Sequence, residues 1–527
     1  MQNQIIYSQF APINYEKYLD YSLGQFLKDS LYNNPDSLIT DAFLEVTLTY
    51  AKLDIICEEI ADTLIRIGLC GRDVLHIYAD NSILWMSLYI AAQYRGIIVS
   101  SSHSTSPATD LKRNIATTKS SVLITSKEKW SRIQNELNDS SLSYVLVYSE
   151  LKDAINRYQL EVEEVFFKDI VHFDDDELVD VCQMAMTSGS TGLPKVVLIQ
   201  PIYCIRVALA LNHESIAPIM KHEIVNAIQP FPHVGGFNFT VIPCLFSGAN
   251  LIIVKKFDET FINIVLKYKV QHIFALASIF NYLASLQNIS KSQFKFIKTI
   301  ITAGTIQLLD PYKRIQSIFG ENLRFVSMYG LSETSPIFIS SSSLRTKLHH
   351  AGMVCPNGFY KLVSIKDPEI LENPGEVCIK GTPMFKSYFK DQVKTRDSFT
   401  SDGFFRTGDF GRADENGHLQ LLSRVKEIIK FRGYTVFPSE LENYLNSHPK
   451  VSSSAVVGKS DKINGEIPVA FVVPRENITS EELMDFIKDE VPEYKRIHHI
   501  TFMKKLPINR NKKIDKLALR IETEKSL

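Results

Sequence analysis

The chain has 527 residues, enough for more than one hydrophobic core, and its 45% hydrophobic and 22% charged residues are those of an ordinary globular protein. With 58 Lys and Arg against 59 Asp and Glu there is no global field to gather nucleic acid or anionic lipid, so any phosphate binding must be local. The 7 cysteines, odd in number and without a close pair, argue for a reducing, cytoplasmic setting and against a disulfide scaffold or a structural zinc.

Residues 1–18 carry neither a basic leader nor an apolar core, so no secretory signal is expected. Short apolar runs then alternate with helical patterns. Residues 73–79 read as a strand and 83–93 as an amphipathic helix, with further strands at 121–125, 144–148, 196–199, 251–254, 272–276 and 298–302. That alternation predicts a large α/β body with buried strands. The uncharged stretch 234–254 is long enough to cross a membrane, but its Gly, Pro, Ser and Asn residues predict a short buried helix, a turn at 247–250 and a strand instead. Residues 354–422 differ, with short alternating strands at 375–379 and 417–422 that predict a small β-rich subdomain closing the body. After Arg424 the pattern restarts. A charged strand reaches Val436, Pro438 opens a helix with Glu440 and Glu442 near its start, and strands at 454–457 and 469–473 precede a helix at 480–489. The expected architecture is therefore α/β, with a multi-subdomain body over residues 1–424 and a small, compact α+β domain over 425–527.

Six strings carry chemistry. Thr187-Ser188-Gly189-Ser190-Thr191-Gly192-Leu193-Pro194-Lys195 combines two glycines that let backbone curl with hydroxyls, amides and a cation suited to phosphate. It lacks the GxxxxGK[ST] spacing, and the competing reading of the string alone is a surface turn. In Pro232-His233-Val234-Gly235-Gly236 an imidazole can donate to a carboxylate or simply be satisfied at a helix start. Thr302-Ala303-Gly304-Thr305 follows a strand with small residues that admit a ligand close to backbone. Tyr329-Gly330-Leu331-Ser332-Glu333-Thr334 offers a ring to stack on a purine and a carboxylate to hold Mg²⁺. Arg406-Thr407-Gly408-Asp409, with Arg424 beyond the next turn, offers one carboxylate to two ribose hydroxyls. Finally, residues 504–520 are basic and contain Pro507 to Lys516, which alone could be a solvated face.

Together and in this order the strings resemble the adenylate-forming (AMP-binding) enzyme superfamily, which includes acyl-CoA synthetases, coumarate-CoA ligases, beetle luciferases and the adenylation domains of peptide synthetases. The resemblance covers nearly the whole chain. It implies that Thr187, Ser188, Gly189, Ser190, Thr191, Gly192 and Lys195 cradle phosphates, and that Ala303, Gly304 and Thr305 line adenine and the acyl pocket. Tyr329, beside Gly330, would stack on adenine, Ser332 would touch the α-phosphate and Glu333 would ligate magnesium. Asp409 would hold ribose and Arg424 would add a second nucleotide contact. His233 would orient the acid, and Lys513 would be the catalytic lysine. Lys426 would be the hinge, with Lys430 and Gly433 facing the site in a second half-reaction. The implied activity is that of an ATP- and Mg²⁺-dependent acid–CoA ligase, with no nucleic acid partner and no membrane span.

Three positions depart from the family pattern: Lys512 stands for a glycine, Lys516 for an arginine and Gln200 for a frequent histidine. Three alternatives stay open, namely loading of an amino acid or of a carrier protein in trans, luciferase-like oxidation, and an inactive nucleotide binder. Residues 231–243 contain no Asp or Glu, which would leave an amino-acid ammonium unpaired and disfavours such substrates.

Overall fold

A computed structural model of the protein describes residues 5–137, 141–148, 162–170, 172, 175–187, 195–216, 218–286, 291–303, 309–341, 350–508 and 514–525. The chain divides into two compact units: Tyr7–Phe359 with Gly381–Asp397, and Met1–Ile6 with Tyr360–Lys380 and Ser398–Leu527. The second unit thus holds much of the β-rich region together with the C-terminal residues.

The larger unit is built on two mixed sheets. One has eight strands in the order Ser387–Tyr388, Lys195–Ile199, Gln183–Thr187, Ile98–Ser101, Val74–Tyr78, Val122–Ser126, Tyr144–Tyr148 and Val162–Phe166. The other has nine, with Arg324–Leu331, Thr299–Ala303, His272–Ala275, Ile224–Ala227, Asn250–Ile253 and Leu38–Asp41 parallel in its interior and antiparallel strands at both edges. Val74–Tyr78, Val122–Ser126 and Tyr144–Tyr148 are buried at every residue. That burial on both faces explains why they read as continuous apolar runs rather than alternating ones.

The helix Ile83–Tyr94 corrects the sequence expectation, because it is buried at every residue from Ile83 to Gln93 and has no polar face. Ser87 and Gln93 are satisfied internally: Ser87 Oγ donates to Ile83 O at 2.9 Å, and Gln93 Nε2 donates to Cys182 O at 3.1 Å. Gly24 permits the close approach of a neighbouring helix, since a Cβ there would lie 2.3 Å from Gln93 O. On its other flank Trp85 and Tyr89 pack on Phe237, with ring centroids 5.1 and 4.2 Å away, and so back the segment that follows His233.

Residues 234–254 resolve into the helix Val234–Gly236, a π-helical turn Phe237–Val241, the helix Ile242–Ser247 and the strand Asn250–Ile253. Gly248 ends the helical stretch at φ 73°, the left-handed cap a glycine takes without strain. Among the described residues no helix is long and apolar enough to cross a membrane.

The smaller unit contains a five-stranded sheet whose last three strands are Gly375–Lys380, Phe405–Ala413 and Leu419–Arg424. A second sheet joins the long hairpin Val451–Asp461 and Gly465–Pro474 to Ile429–Phe431, Tyr434–Val436 and His499–Phe502. Pro438–Ser447 and Ser480–Lys488 bury Leu441, Leu445, Leu483 and Ile487 in one cluster with Val456, Ala470 and Val472 of that sheet. Lys516, at the start of the last helix, is clamped between Glu427 and Glu442 at 2.9 Å from each. Burial alone would lower its pKa, but the two carboxylates outweigh this and hold it above the ordinary lysine value. A raised pKa means that the stabilisation is fully present below the unfolded lysine value of about 10.4 and fades as pH climbs through the folded one. Lys516→Met is therefore expected to lose about 1–3 kcal/mol in urea denaturation at pH 7.5, a gap that narrows above about pH 10.5. Equal denaturation midpoints at pH 7.5 would contradict the clamp.

Candidate active site

In the larger unit, Thr187 and Lys195 are ladder partners at the ends of two antiparallel strands, so the phosphate-loop string closes between paired stems. Ser188, Gly189, Ser190, Thr191 and Gly192 lie outside the described residues. Lys195 places its ammonium 4.5 Å from the centroid of the Tyr388 ring. The Tyr388 hydroxyl in turn donates to Glu333 Oε1 at 2.7 Å. Glu333 is also fixed through its backbone, where its carbonyl accepts from Phe385 N at 2.7 Å. A half-exposed carboxylate oriented by a hydroxyl is a hard oxygen donor that fits Mg²⁺.

Tyr329 to Glu333 sit on a hairpin rather than at a bare strand end, because Arg324–Leu331 turns directly into the antiparallel strand Thr334–Ser341 with an irregular register between Tyr329 and Leu331. Tyr329 is braced by Phe338, 6.0 Å between ring centroids, and Tyr203 donates to the Ser332 carbonyl at 3.5 Å. Gly330 must stay small, since a Cβ there would meet Ser335 Oγ at 1.8 Å. Ala303 ends the neighbouring parallel strand and pairs with Met328, one residue before Tyr329. Gly304 and Thr305 lie outside the described residues.

His233 caps the helix Val234–Gly236 by accepting from Gly235 N at Nδ1, 3.1 Å away. The neutral ring consequently carries its proton on Nε2. The turn before it is held by Asn81, which donates to Gln229 O at 2.8 Å and accepts from Phe231 N at 2.9 Å. A Cβ on Gly236 would come within 2.0 Å of Pro230 O, so the helix start needs glycine there.

In the smaller unit, Asp409 and Arg424 are cross-strand partners, with Arg424 Nε 2.8 Å from Asp409 Oδ1. Thr407 Oγ1 accepts from Asp409 N at 3.1 Å while donating to Val377 O at 2.8 Å, which anchors the buried strand carrying the carboxylate. Lys426 is exposed in the short turn Val425–Glu427. Lys430 lies on the hairpin Ile429–Phe431 and Tyr434–Val436 with its ammonium 3.0 Å from Thr435 Oγ1. Arg432 at φ 48° and Gly433 at φ 83° make the two-residue turn, the left-handed pair that a tight hairpin demands. Lys513 and Lys512 lie outside the described residues. The stems of their loop meet in a bridge between Ile508 and Ile514.

A model of the AMP-binding enzyme family matches residues 27–389, and a model of the AMP-binding enzyme C-terminal domain matches residues 440–513. The chain belongs to the adenylate-forming, AMP-binding enzyme family. It is similar to 4-coumarate–CoA ligase 1 of Petroselinum crispum, 26% identical with 98% of this chain and 97% of the relative covered, and to 4-coumarate:CoA ligase 1 of Petunia hybrida, 28% identical with 90% and 88% covered. The same fold is found in ATP-bound MatB from Rhodopseudomonas palustris, at a TM-score of 0.82, 21% identity and coverage of 95% and 98%. It recurs in the o-succinylbenzoate CoA synthetase of Bacillus subtilis solved with its acyl-adenylate, at a TM-score of 0.78, 22% identity and coverage of 94% and 97%.

In this AMP-binding enzyme, Tyr388 is the residue that sequence reasoning missed. It lies outside every string above, on a two-residue strand that pairs with Lys195–Ile199, and only the fold brings it to Glu333 and Lys195. A hydrogen bond to a charged acceptor contributes about 1.5–3 kcal/mol. Tyr388→Phe is therefore expected to slow MgATP-dependent pyrophosphate exchange about tenfold or more, with the ring and its stack on Lys195 retained. An unchanged MgATP dependence would remove Tyr388 from the site.

Proposed function

We propose that the protein is an acid–CoA ligase working through an acyl-adenylate. The observation that carries this reading is the likeness to 4-coumarate–CoA ligases across 98% of the chain, joined to the linked Lys195–Tyr388–Glu333 and Asp409–Arg424 groups. In the first half-reaction a carboxylate oxygen attacks the α-phosphorus of ATP, the bond to the β-phosphate oxygen breaks, and pyrophosphate leaves. The carboxylate needs no general base, since its reference pKa of about 4 leaves it ionised at neutral pH. His233, protonated on Nε2, orients it. Thr187 and Lys195 flank the phosphates, and Lys513 balances charge developing between carboxylate and phosphate. Glu333 would hold Mg²⁺, which would supply charge neutralisation on the phosphates. Tyr329 stacks on adenine, and Asp409 accepts from the ribose hydroxyls while Arg424 fixes its orientation.

In the second half-reaction the CoA sulfur attacks the acyl carbon, the carbon–oxygen bond to phosphate breaks, AMP leaves and the thiol proton passes to solvent. The smaller domain, residues 425–527, turns about Lys426 between the steps, exchanging Lys513 for the Lys430–Gly433 face. We place the enzyme in a reducing compartment, in keeping with its seven unpaired cysteines.

The test is a panel of aliphatic and aromatic monocarboxylates with MgATP and CoA, reading pyrophosphate release and acyl-CoA mass together. An acid that yields both supports the proposal. Amino-acid-dependent exchange without any thioester would favour carrier or amino-acid loading, and pyrophosphate release that never produces thioester would reject CoA as the acceptor.

A further inference from the structure

The chain enters the core strand Val74–Tyr78 through a tight turn at residues 70–73. Asp73 N donates to Cys70 O at 3.1 Å, and Cys70 N donates back to Asp73 Oδ2 at 2.8 Å. A distant segment is folded over this turn. Ile170 packs above Gly68, Ser143 Oγ donates to Asp169 O at 2.9 Å, and His172 comes to rest beside Cys70 and Asp73. His172 Nδ1 lies 2.9 Å from Asp73 Oδ2 and 3.3 Å from Cys70 Sγ. Among the described residues this is the one grouping of three His, Cys, Asp or Glu side chains whose ligand atoms all fall within 4.8 Å of one another.

We propose that Cys70, Asp73 and His172 form a binding site for a divalent transition-metal ion of the zinc class. A tetrahedral zinc with Zn–S of about 2.3 Å and Zn–N and Zn–O of about 2.0–2.1 Å separates its sulfur and nitrogen ligands by about 3.5 Å and its nitrogen and oxygen ligands by about 3.3 Å. The observed separations of 3.3 and 2.9 Å are each within a few tenths of an ångström of those values, so small side-chain rotations admit the ion. The donors are one thiol, one imidazole and one carboxylate, a mixed set suited to zinc or cobalt rather than to Mg²⁺ or Ca²⁺, which take oxygen. The carboxylate is rigid, with Asp73 only 1% exposed, while the His172 side chain is 56% exposed and Cys70 also faces solvent. The ion can therefore enter, and water completes the fourth position.

Binding expels the Cys70 thiol proton to solvent as the thiolate–metal bond forms. The metal would staple the segment after Val162–Phe166 to the entry of a core strand.

The experiment titrates metal-stripped full-length protein with Co²⁺ and follows the thiolate-to-cobalt charge-transfer absorption in the near ultraviolet. The other six cysteines are buried, so the signal reports on Cys70. The expected result is saturation at one Co²⁺ per chain and displacement by Zn²⁺. The band should be lost in Cys70→Ser, and binding should weaken by more than about a hundredfold in His172→Ala, since even outer-sphere partners are worth about 10- to 100-fold. Both substitutions are at exposed positions, and retained pyrophosphate exchange verifies that the variants fold. No charge-transfer band at stoichiometric Co²⁺, or a band that survives Cys70→Ser, overturns the site. A band unaffected by His172→Ala overturns the three-ligand assignment. These readouts are independent of whether CoA is the acceptor in the main reaction.

Discussion

Asp409→Ala is expected to slow acid-dependent pyrophosphate exchange by about a hundredfold or more while the protein stays folded. The carboxylate is buried, lies across the ladder from Arg424 and is held by the Thr407 bridge, so its position is set before nucleotide arrives. Two hydrogen bonds from vicinal hydroxyls to a carboxylate, at about 1.5–3 kcal/mol each, correspond to roughly 10²–10⁴ in rate. Asp409→Asn retains one acceptor and most of the shape, and should fall between the two. Glu333→Ala should cause a loss of similar size through the magnesium-bound phosphates, partly restored by raising Mg²⁺. Ribose binding has no such dependence, so Asp409→Ala should not respond to the metal. Exchange rates near wild type in both alanine variants would remove these residues from the nucleotide site.

The second large effect separates two lysines of the smaller unit. Lys513→Ala is expected to reduce adenylate formation by about a hundredfold or more, the scale of losing one preorganised charge aimed at a transition state. It should largely spare thioester formation from acyl-adenylate supplied ready-made. Lys430→Ala should show the opposite pattern. One small domain cannot present both faces to one cavity at once, so each step meets its own arrangement of charge. Lys512 adds a neighbouring cation that can substitute in part, which the Lys512/Lys513 double alanine variant measures. If Lys513→Ala loses both steps equally while Lys430→Ala spares both, the alternating-domain proposal fails for this chain.

Much of the architecture was readable because buried parallel strands leave unbroken apolar runs. The strand expected at residues 144–148 is Tyr144–Tyr148, and the helix expected at 480–489 is Ser480–Lys488. Residues 83–93 read as an amphipathic helix, whereas Ser87 and Gln93 are satisfied by main-chain carbonyls inside the core. Sequence spacing cannot distinguish a side chain turned to water from one turned to backbone. The site divides in the same way. Glu333 and Asp409 sit in recognisable strings, and local chemistry suggests their partners. Tyr388 and Asn81 have no string, because what matters about them is a contact across 55 residues in one case and 148 in the other. The metal-type grouping was hidden for a further reason. Reading cysteines by their spacing to other cysteines passes over a ligand set in which two donors come from one turn and the third from a segment about a hundred residues away.

The burial of Ile83–Gln93 on every side also sets a timescale. Amide hydrogens in a helix with one wet face can exchange through local fraying, but here no edge reaches water until the neighbouring helices part. The capping Ser82, which accepts from Trp85 N at 3.1 Å, fixes the buried end, and only the last residue, Tyr94, is part-exposed. Deuterium should therefore enter this helix only when the whole unit opens, later than it enters the hairpins that carry Glu333 and Lys430. Within the larger unit the slowest-exchanging element would lie directly behind the turn that holds His233, a support that stays closed while the hairpin of Glu333 opens.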